Sequence, residues 1–461
     1  MSAKKRPFGP DHLLVGLRRF PRPANYWVAF SGGPDSTALL QALSELGDRL
    51  GAPLRALHVN HALHDDAPAW QRHCERFCRA RGIPLTCVQI SVDPDTGKGL
   101  EADARRKRYA VALGLLDEGE VLLTAHHAGD QAETVLLNLM RGSGVEGLAG
   151  MPDVRPLGKG WLVRPLLAFS GPSLKAYLED RGIDWIEDLS NQDESYDRNF
   201  LRHSLLPVLE RRWHGAGDKI AQSANHCREA AGLLADMADE LLDESLAHPQ
   251  VLRLARIPES DPARFKLVIR RWLHGRQSPP LPARRLEELA RQCARASPQH
   301  HVRLEWDGWT LQLFRRQLWL QRCESIKACP EAPWTSPGPL QLGPVLGRLL
   351  IEPEDAGVPP GLAVGPRRSG EKIHFHEAGL SRSVKHLLQE ASVPPWLRLS
   401  IPLLRLGGEP AALGDWAIGS RLQEWLDGRG AGLSWEPAEP LLALVHAGCR
   451  RRAVDPPGPL G

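Results

Sequence analysis

What most constrains this chain is an alternation in its first two hundred residues, where short β-branched or aliphatic runs are separated by longer stretches with helical spacing. Tyr26 to Phe30, Leu54 to Val59, Leu85 to Ile90 and Val121 to Leu123 read as strands. Thr37 to Leu46, Ala69 to Arg81, Glu101 to Leu116 and Gln131 to Met140 read as the helices between them. Parallel neighbours need long crossover connections, so this order predicts an α/β fold: a doubly wound parallel sheet covered by helices on both faces. Ligands of such sheets bind beyond the carboxyl ends of the strands, so the loops leaving strands are where chemistry is expected.

Past Gly217 the pattern changes to amphipathic helices, over 219–246, 262–272 and 283–294. Val302 to Trp306 and Trp309 to Gln321 then alternate around Asp307-Gly308, a dipeptide suited to the positive φ angles of a tight hairpin. Two Pro- and Gly-rich stretches, 330–339 and 353–360, read as a connector around the apolar run 345–351. The expected division is an α/β domain over 1–215, a helical domain over 216–325, a connector over 326–360, a small α+β domain over 361–440 and a tail over 441–461. The Pro-rich end of that tail is expected not to pack.

Composition narrows the function. Apolar residues at 42% and charged ones at 25% are ordinary for a globular protein, which excludes collagen-like, wholly disordered and membrane-embedded classes. No run approaches the ~18 apolar residues of a spanning helix. Lys4, Lys5 and Arg6 precede no apolar export region, so no membrane partner is expected and the expected location is cytoplasmic. The net charge is only +3, so a nucleic-acid partner has to be argued from local clusters. Eight cysteines include no CxxC pair, which reads as reduced thiols without a zinc or iron–sulfur site.

Directly after the first strand comes Ser31-Gly32-Gly33-Pro34-Asp35-Ser36, leading into a helix. Glycines let backbone approach an anion, and the N–H groups and dipole of the following helix stabilise phosphate charge. Neither the Walker loop nor the GxGxxG fingerprint is present. Ser31 and Ser36 can donate hydroxyl hydrogen bonds, while Asp35 among phosphates requires a hard cation such as Mg2+ between them. The plainer alternative is a Gly-rich turn capped by Ser and Asp. SGGPDS in this position resembles the pyrophosphate loop (PP-loop) of the ATP-pyrophosphatase superfamily, which implies ATP cleaved between its α and β phosphates and a substrate that is adenylated.

Further on lie His58-Val59-Asn60-His61, the segment Glu101 to Tyr109, and Thr124-Ala125-His126-His127-Ala128-Gly129-Asp130-Gln131-Ala132-Glu133-Thr134. His126 falls at the carboxyl edge of the sheet, and Asp130 and Glu133 share one helical face. Such a group could hold a cationic amine and take a proton from it, although acidic residues also favour a first helical turn for structural reasons. Arg105 sits in a basic run that would equally suit a solvated surface or an i, i+4 pair with Glu101.

Taken with Arg141-Gly142-Ser143-Gly144, Arg164-Pro165-Leu166-Leu167, Glu187-Asp188-Leu189-Ser190-Asn191 and Arg198 to Arg202, these segments resemble the tRNA(Ile)-lysidine synthetase family. The resemblance continues through Arg367 to Lys372, Ser381 to Lys385, Gln389-Glu390 and Val393 to Arg398. It implies an adenine nucleotide alpha hydrolase-like catalytic domain followed by tRNA-binding domains, and a ligase that joins L-lysine to the wobble cytidine of tRNA(Ile) with a CAU anticodon. The cytidine C2 oxygen would be adenylated from ATP, and the lysine ε-amine would then displace AMP. On this resemblance Ser31, Gly32, Gly33, Pro34, Asp35 and Ser36 would bind ATP, with Asp35 acting through Mg2+. Arg105 would stabilise charge on phosphate or base, His126 would contact ATP, and Asp130 and Glu133 would hold and deprotonate lysine. Many such relatives are homodimers. Two departures stand out: Gly129 takes a place where relatives carry an acidic or amide residue, and His374-Phe375-His376 replaces a more basic, Pro-containing pattern.

For tRNA contact, residues 364–400 carry an excess of three positive charges, through Arg367, Arg368, Lys372, Arg382, Lys385 and Arg398, with Trp396 for stacking. Arg198, Arg202, Arg211 and Arg212 form a second candidate patch, although a solvated helix face explains either cluster as well. A tRNA thiolation enzyme on the same loop is the rival enzyme class, and it would need paired or nucleophilic cysteines. A non-catalytic tRNA-binding protein is the third reading.

Overall fold

The computed structural model describes residues 8–20, 22–60, 66–91, 100–187, 193–257, 261–295, 302–323, 326–375 and 381–454. The chain divides into two compact units, Met1–Leu234 and Ala235–Gly461.

In the first unit, helix α1 (Pro10–Leu17) precedes β1 (Tyr26–Ala29), α2 (Pro34–Leu46), β2 (Leu54–Asn60), α3 (Ala67–Arg79), β3 (Leu85–Gln89), α4 (Leu100–Leu115) and β4 (Val121–Leu123). Then come α5 (Ala128–Met140), α6 (Val145–Leu148), the hairpin β5 (Val154–Leu157) and β6 (Gly160–Val163), and α7 (Gly171–Glu179). The strands form one sheet in the order β3-β2-β1-β4-β6-β5, parallel except for β5. Apolar residues line both faces, as a two-sided buried sheet requires. Leu39, Leu40 and Leu43 of α2 meet Leu13 of α1 and Leu174 and Leu178 of α7 on one side. Trp27, Leu57, Leu122 and Leu162 meet Ala112 and Leu116 on the other. The order reverses between β1 and β4, so a crevice opens at their carboxyl ends.

Next follow α8 (Asp197–Phe200), a single π-helical turn (Leu201–Leu205), α9 (Leu206–Arg212) and the long α10 (Ala216–Ser245), which contains the dividing point.

The second unit differs from expectation in three places. The stretch expected to be helical also builds a sheet from β7 (Leu246–His248), β8 (Val251–Arg253), β9 (Arg303–Trp306), β10 (Trp309–Phe314) and β11 (Gln317–Arg322), backed by α11 (Pro262–Gly275) and α12 (Ala283–Arg295). The single strand expected over 309–321 folds back on itself, because Arg315 and Arg316 adopt φ of 48° and 58° and supply a second tight turn. The first turn, at Asp307 and Gly308, has φ of 42° and 79° as the dipeptide predicts.

The third difference is the stretch 326–360, which is folded rather than a connector. It holds β12 (Ala332–Pro333), β13 (Leu340–Gln341) and β14 (Arg348–Glu352), and it buries Trp334, Leu342, Leu346, Leu349 and Ile351 in a shared core. That core continues through β15 (Leu362–Gly365), β16 (Lys372–His374), β17 (Ser381–Ser383), α13 (Val384–Glu390), β18 (Leu403–Leu406) and β19 (Glu409–Leu413). It ends with β20 (Ala417–Ile418), α14 (Ser420–Asp427), β21 (Gly432–Glu436) and α15 (Pro440–Val454), whose Leu441, Leu442 and Cys449 are buried. Part of the expected tail is therefore a packed helix, and residues 455–461 lie outside the described residues.

Candidate active site

The loop 31–36 closes on itself. Ser31 and Ser36 hydroxyls lie 3.1 Å apart, Gly33 N–H donates to Ser31 Oγ at 3.3 Å, and Thr37 Oγ1 donates to the Gly32 carbonyl at 3.2 Å. Gly32 is required twice over: its φ is +83°, and an added Cβ would lie 2.4 Å from Ile186 Cδ1. Its carbonyl also accepts from Ile186 N–H at 2.8 Å, which ties the loop to the segment after α7. Pro34 at the first turn of α2 suits a helix start whose N–H groups point at a ligand.

Across the crevice, α5 begins with a reciprocal cap in which Gly129 N–H donates to His127 Nδ1 and His127 N–H donates to Asp130 Oδ2, each at 2.9 Å. The other face of the His127 ring puts Nε2 3.7 Å from both Asp35 and Asp130. Gly129 has no room for a side chain, since a Cβ there would stand 2.7 Å from His127 Cε1. This cap links the loop acid to the helix acids through a histidine that was not among the expected site residues. The duplicated His126-His127 at a strand end is the signal that could have found it.

Asp130 and Glu133 hold a cation already. Arg202, from the π-helical turn, donates through Nε to Glu133 Oε1 at 2.6 Å and through Nη2 to Glu133 Oε2 at 3.0 Å and Asp130 Oδ1 at 2.9 Å. Arg202 was expected on an RNA-facing patch; its guanidinium is instead committed to two carboxylates 69 and 72 residues away. Arg198, expected on the same patch, acts electrostatically on His126 and Glu133.

The electrostatics separate the acids. Burial pushes the Glu133 carboxyl above the usual range, even with Arg202 pulling it down. Burial also acts on Asp130, but His127, through its charge and its backbone N–H, and Arg202 outweigh it and hold that carboxyl low. Asp35 is raised by burial, with His127 opposing and Asp130 adding to the rise. His126, whose Nδ1 lies 2.9 Å from Thr124 Oγ1, is pushed down to about 4 by burial, with Asp130 opposing and Arg164 and Arg105 adding to the fall. It is a neutral imidazole at physiological pH.

Arg105 is half-buried over the Tyr109 ring, whereas its neighbours Arg106 and Lys107 both pair with buried Asp103. His58 Nδ1 lies 2.9 Å from the Phe30 carbonyl; residues 61 and 188–192 lie outside the described residues.

In the second unit, Arg367, Arg398 and Trp396 come together. Arg398 is lowered by burial and by Arg367 and Arg315, and Arg367 Nε and Trp396 Nε1 are buried without a hydrogen-bond partner. The Trp396 ring stands edge-on to Phe314 and Trp319, so it packs within the protein. Arg368 pairs with Glu331 at 2.8 Å, while Lys372 and Lys385 are exposed. A cavity of about 500 Å3 lined by Leu254, Phe265, Ala290 and Cys293 also lies in this unit. Its Cys293 thiol is pushed up to about 12 by burial, and Glu287 is the one acid on its wall among the described residues.

Three family models match the chain: a PP-loop domain over 16–209, a TilS substrate binding domain over 252–319 and a TilS substrate C-terminal domain over 362–435. The tRNA(Ile)-lysidine synthase of Xanthomonas campestris pv. campestris is 39% identical over 92% of this chain and 98% of its own. The protein of the same name from Alkalilimnicola ehrlichii is 39% identical over 89% of this chain and 94% of its own. Among solved structures, the U34-tRNA thiolase NcsA from Methanococcus maripaludis overlaps 48% of this chain and 79% of its own at 17% identity and a TM-score of 0.38, too low to bear on function.

Proposed function

The chain belongs to the tRNA(Ile)-lysidine synthase family, and from that premise we propose that it joins L-lysine to C2 of the wobble cytidine in tRNA(Ile) with a CAU anticodon, consuming ATP. The observation that carries this reading is the Asp130–Glu133 pair, which holds the Arg202 guanidinium and is joined through His127 to Asp35 of the Gly-rich loop.

In the first step the cytidine C2 oxygen attacks the α-phosphorus of ATP and pyrophosphate leaves. The backbone and hydroxyls of 31–36 hold the phosphates, and Arg105 faces the charge that develops. Asp35 with the Ser31 and Ser36 hydroxyls offers hard oxygen donors. That suits Mg2+, which takes most ligands from phosphate and water and, when bound, neutralises phosphate charge. In the second step the lysine ε-amine attacks C2 and AMP leaves. The amine must first lose a proton; Asp130, held ionised, orients the ammonium, and Glu133, whose carboxyl is raised, is the better acceptor once Arg202 releases its oxygens. Neutral His126 can donate a hydrogen bond without adding charge.

A thiolation reading would need a reactive cysteine by the loop. Cys74, which approaches Gly32, and Cys78 are both buried and pushed up to about 12, far from thiolate at neutral pH. No described helix is long and apolar enough to cross a membrane. A cytoplasmic homodimer is part of the same proposal, and sedimentation of the full chain checks the stoichiometry.

The deciding experiment supplies ATP, labelled lysine and unmodified tRNA(Ile) with a CAU anticodon, beside a tRNA in which that cytidine is uridine. Lysine in the first tRNA alone, with matching AMP and pyrophosphate, is the expected result. ATP cleavage without lysine transfer would sink the assignment.

A further inference from the structure

Beside the carboxylates, the same sheet edge carries positive charge that the reaction above leaves largely unused. Arg164 follows β6, and Thr124 N–H donates to the Val163 carbonyl at 3.0 Å, so Arg164 stands next to the strand end that bears His126. Only 4% exposed, Arg164 donates through Nη1 to the Pro152 carbonyl at 2.7 Å, while its Nε has no partner. Tyr109 on α4 lies against it. The Arg155 and Arg105 guanidinium carbons sit 5.0 and 5.7 Å from the Tyr109 ring centre, and both side chains are half-buried.

None of these three arginines forms an ion pair with a carboxylate among the described residues. Their neighbours do: Arg106 and Lys107 take Asp103, and Arg228 takes Asp153. Two members, Arg164 and Tyr109, record the surplus. Burial lowers Arg164, and Tyr109, which burial would raise, is drawn below its usual range by Arg105, Arg164 and Arg155. An enclosed guanidinium flanked by two half-buried ones, with no carboxylate paired to them among the described residues, is unfavourable until an anion completes the set.

We propose that Arg105, Arg155 and Tyr109, backed by Arg164, form a subsite for a phosphate oxyanion from residues outside the loop at 31–36, of which the reaction above uses Arg105 alone. The proposal rests on the reading that the chain binds ATP and RNA. Arg105 and Arg155 have the open faces and the planar forks that suit phosphate. Arg164 is enclosed and acts through Tyr109, as a positioning residue. A backbone phosphodiester of the bound RNA and a phosphate of ATP offer the same chemistry, and binding measurements tell them apart.

The test uses the full chain and Arg155→Gln, a half-exposed change that takes one hydrogen bond from Tyr109 but leaves it the one with Arg164. Affinity for unmodified tRNA(Ile) is measured across salt, and affinity for a non-hydrolysable ATP analogue separately. An RNA phosphate predicts about tenfold weaker tRNA binding and a salt slope smaller by about 0.7 to 0.9, with ATP affinity unchanged. A nucleotide phosphate predicts the reverse pattern. Equal affinities for both ligands in variant and wild type would overturn the subsite. Wild-type protein that binds neither ligand would instead overturn the reading on which it rests. A second readout spares all the arginines: the near-ultraviolet titration of wild type minus Tyr109→Phe isolates one phenol. Bound anion should move that titration to higher pH, and an unmoved curve with tRNA or ATP analogue bound counts against the subsite.

Discussion

Each unit of the molecule buries an aspartate beside a histidine, and the two arrangements are built to opposite ends. In the second unit Asp415 has a fully enclosed side chain, accepts from Trp435 N–H at 3.1 Å and meets His446 Nε2 at 2.7 Å, with Arg450 at 3.8 Å. Its charge is spent within the fold. In the first unit three carboxyl groups share one guanidinium and one imidazole, while Arg164 Nε stays without a partner nearby. Satisfied polar clusters specify a structure, and clusters left with surplus charge of both signs are prepared for a ligand.

The sharpest way to break this contrast is to remove one acid from each. Asp130→Ala should slow lysine transfer by about 10²- to 10⁴-fold while ATP-analogue affinity stays within a few-fold. Normal turnover in that variant would remove Asp130 from the reaction. Asp415→Asn should leave turnover per folded molecule intact and cost about 3 kcal/mol in urea unfolding of the second unit. The two signs of pH response follow. Asp415 is held below its ordinary value, with burial opposed by His446 and Trp435 N–H. Its stabilisation is therefore present above the unfolded carboxyl value and is lost as pH falls through the folded one, and Asp415→Asn should flatten that acid limb. Glu133 is displaced upward, so the acid limb of lysine transfer should lie above the ordinary carboxylate range and vanish, along with most of the rate, in Glu133→Gln. The smallest effect belongs to Gly129→Ala, which crowds His127; a cost of about 1–3 kcal/mol should be seen as a lowered melting temperature.

How far the sequence could carry a reader depended on distance along the chain. Val28 and Leu122 lie in uninterrupted apolar runs bounded by turn residues, so their strands were legible locally, and the loop between β1 and α2 came with them. The partnership of Arg202 with Glu133 spans 69 residues and leaves no local pattern, so an arginine in a basic stretch looked like surface. The 326–360 segment misled for another reason: its glycines make tight turns between short strands. Gly347, at φ +70°, would place a Cβ 1.8 Å from the Glu436 carbonyl, a close approach that loop-like composition conceals. Arg315 and Arg316 turned a hairpin without any residue that usually marks one.

The π-helical turn at 201–205 has a consequence for how this protein tolerates changes of length. Such a turn is a helix holding one residue more than its regular spacing needs. Losing His203, Ser204 or Leu205 would restore regular α-helical spacing ahead of Pro207, which has no N–H to donate, and would swing the preceding side chains by about 100° around the axis. Arg202 would then point away from Asp130 and Glu133. A deletion that improves the helix would in this way disconnect the site, so the segment should accept substitutions far more readily than a change in its count of residues.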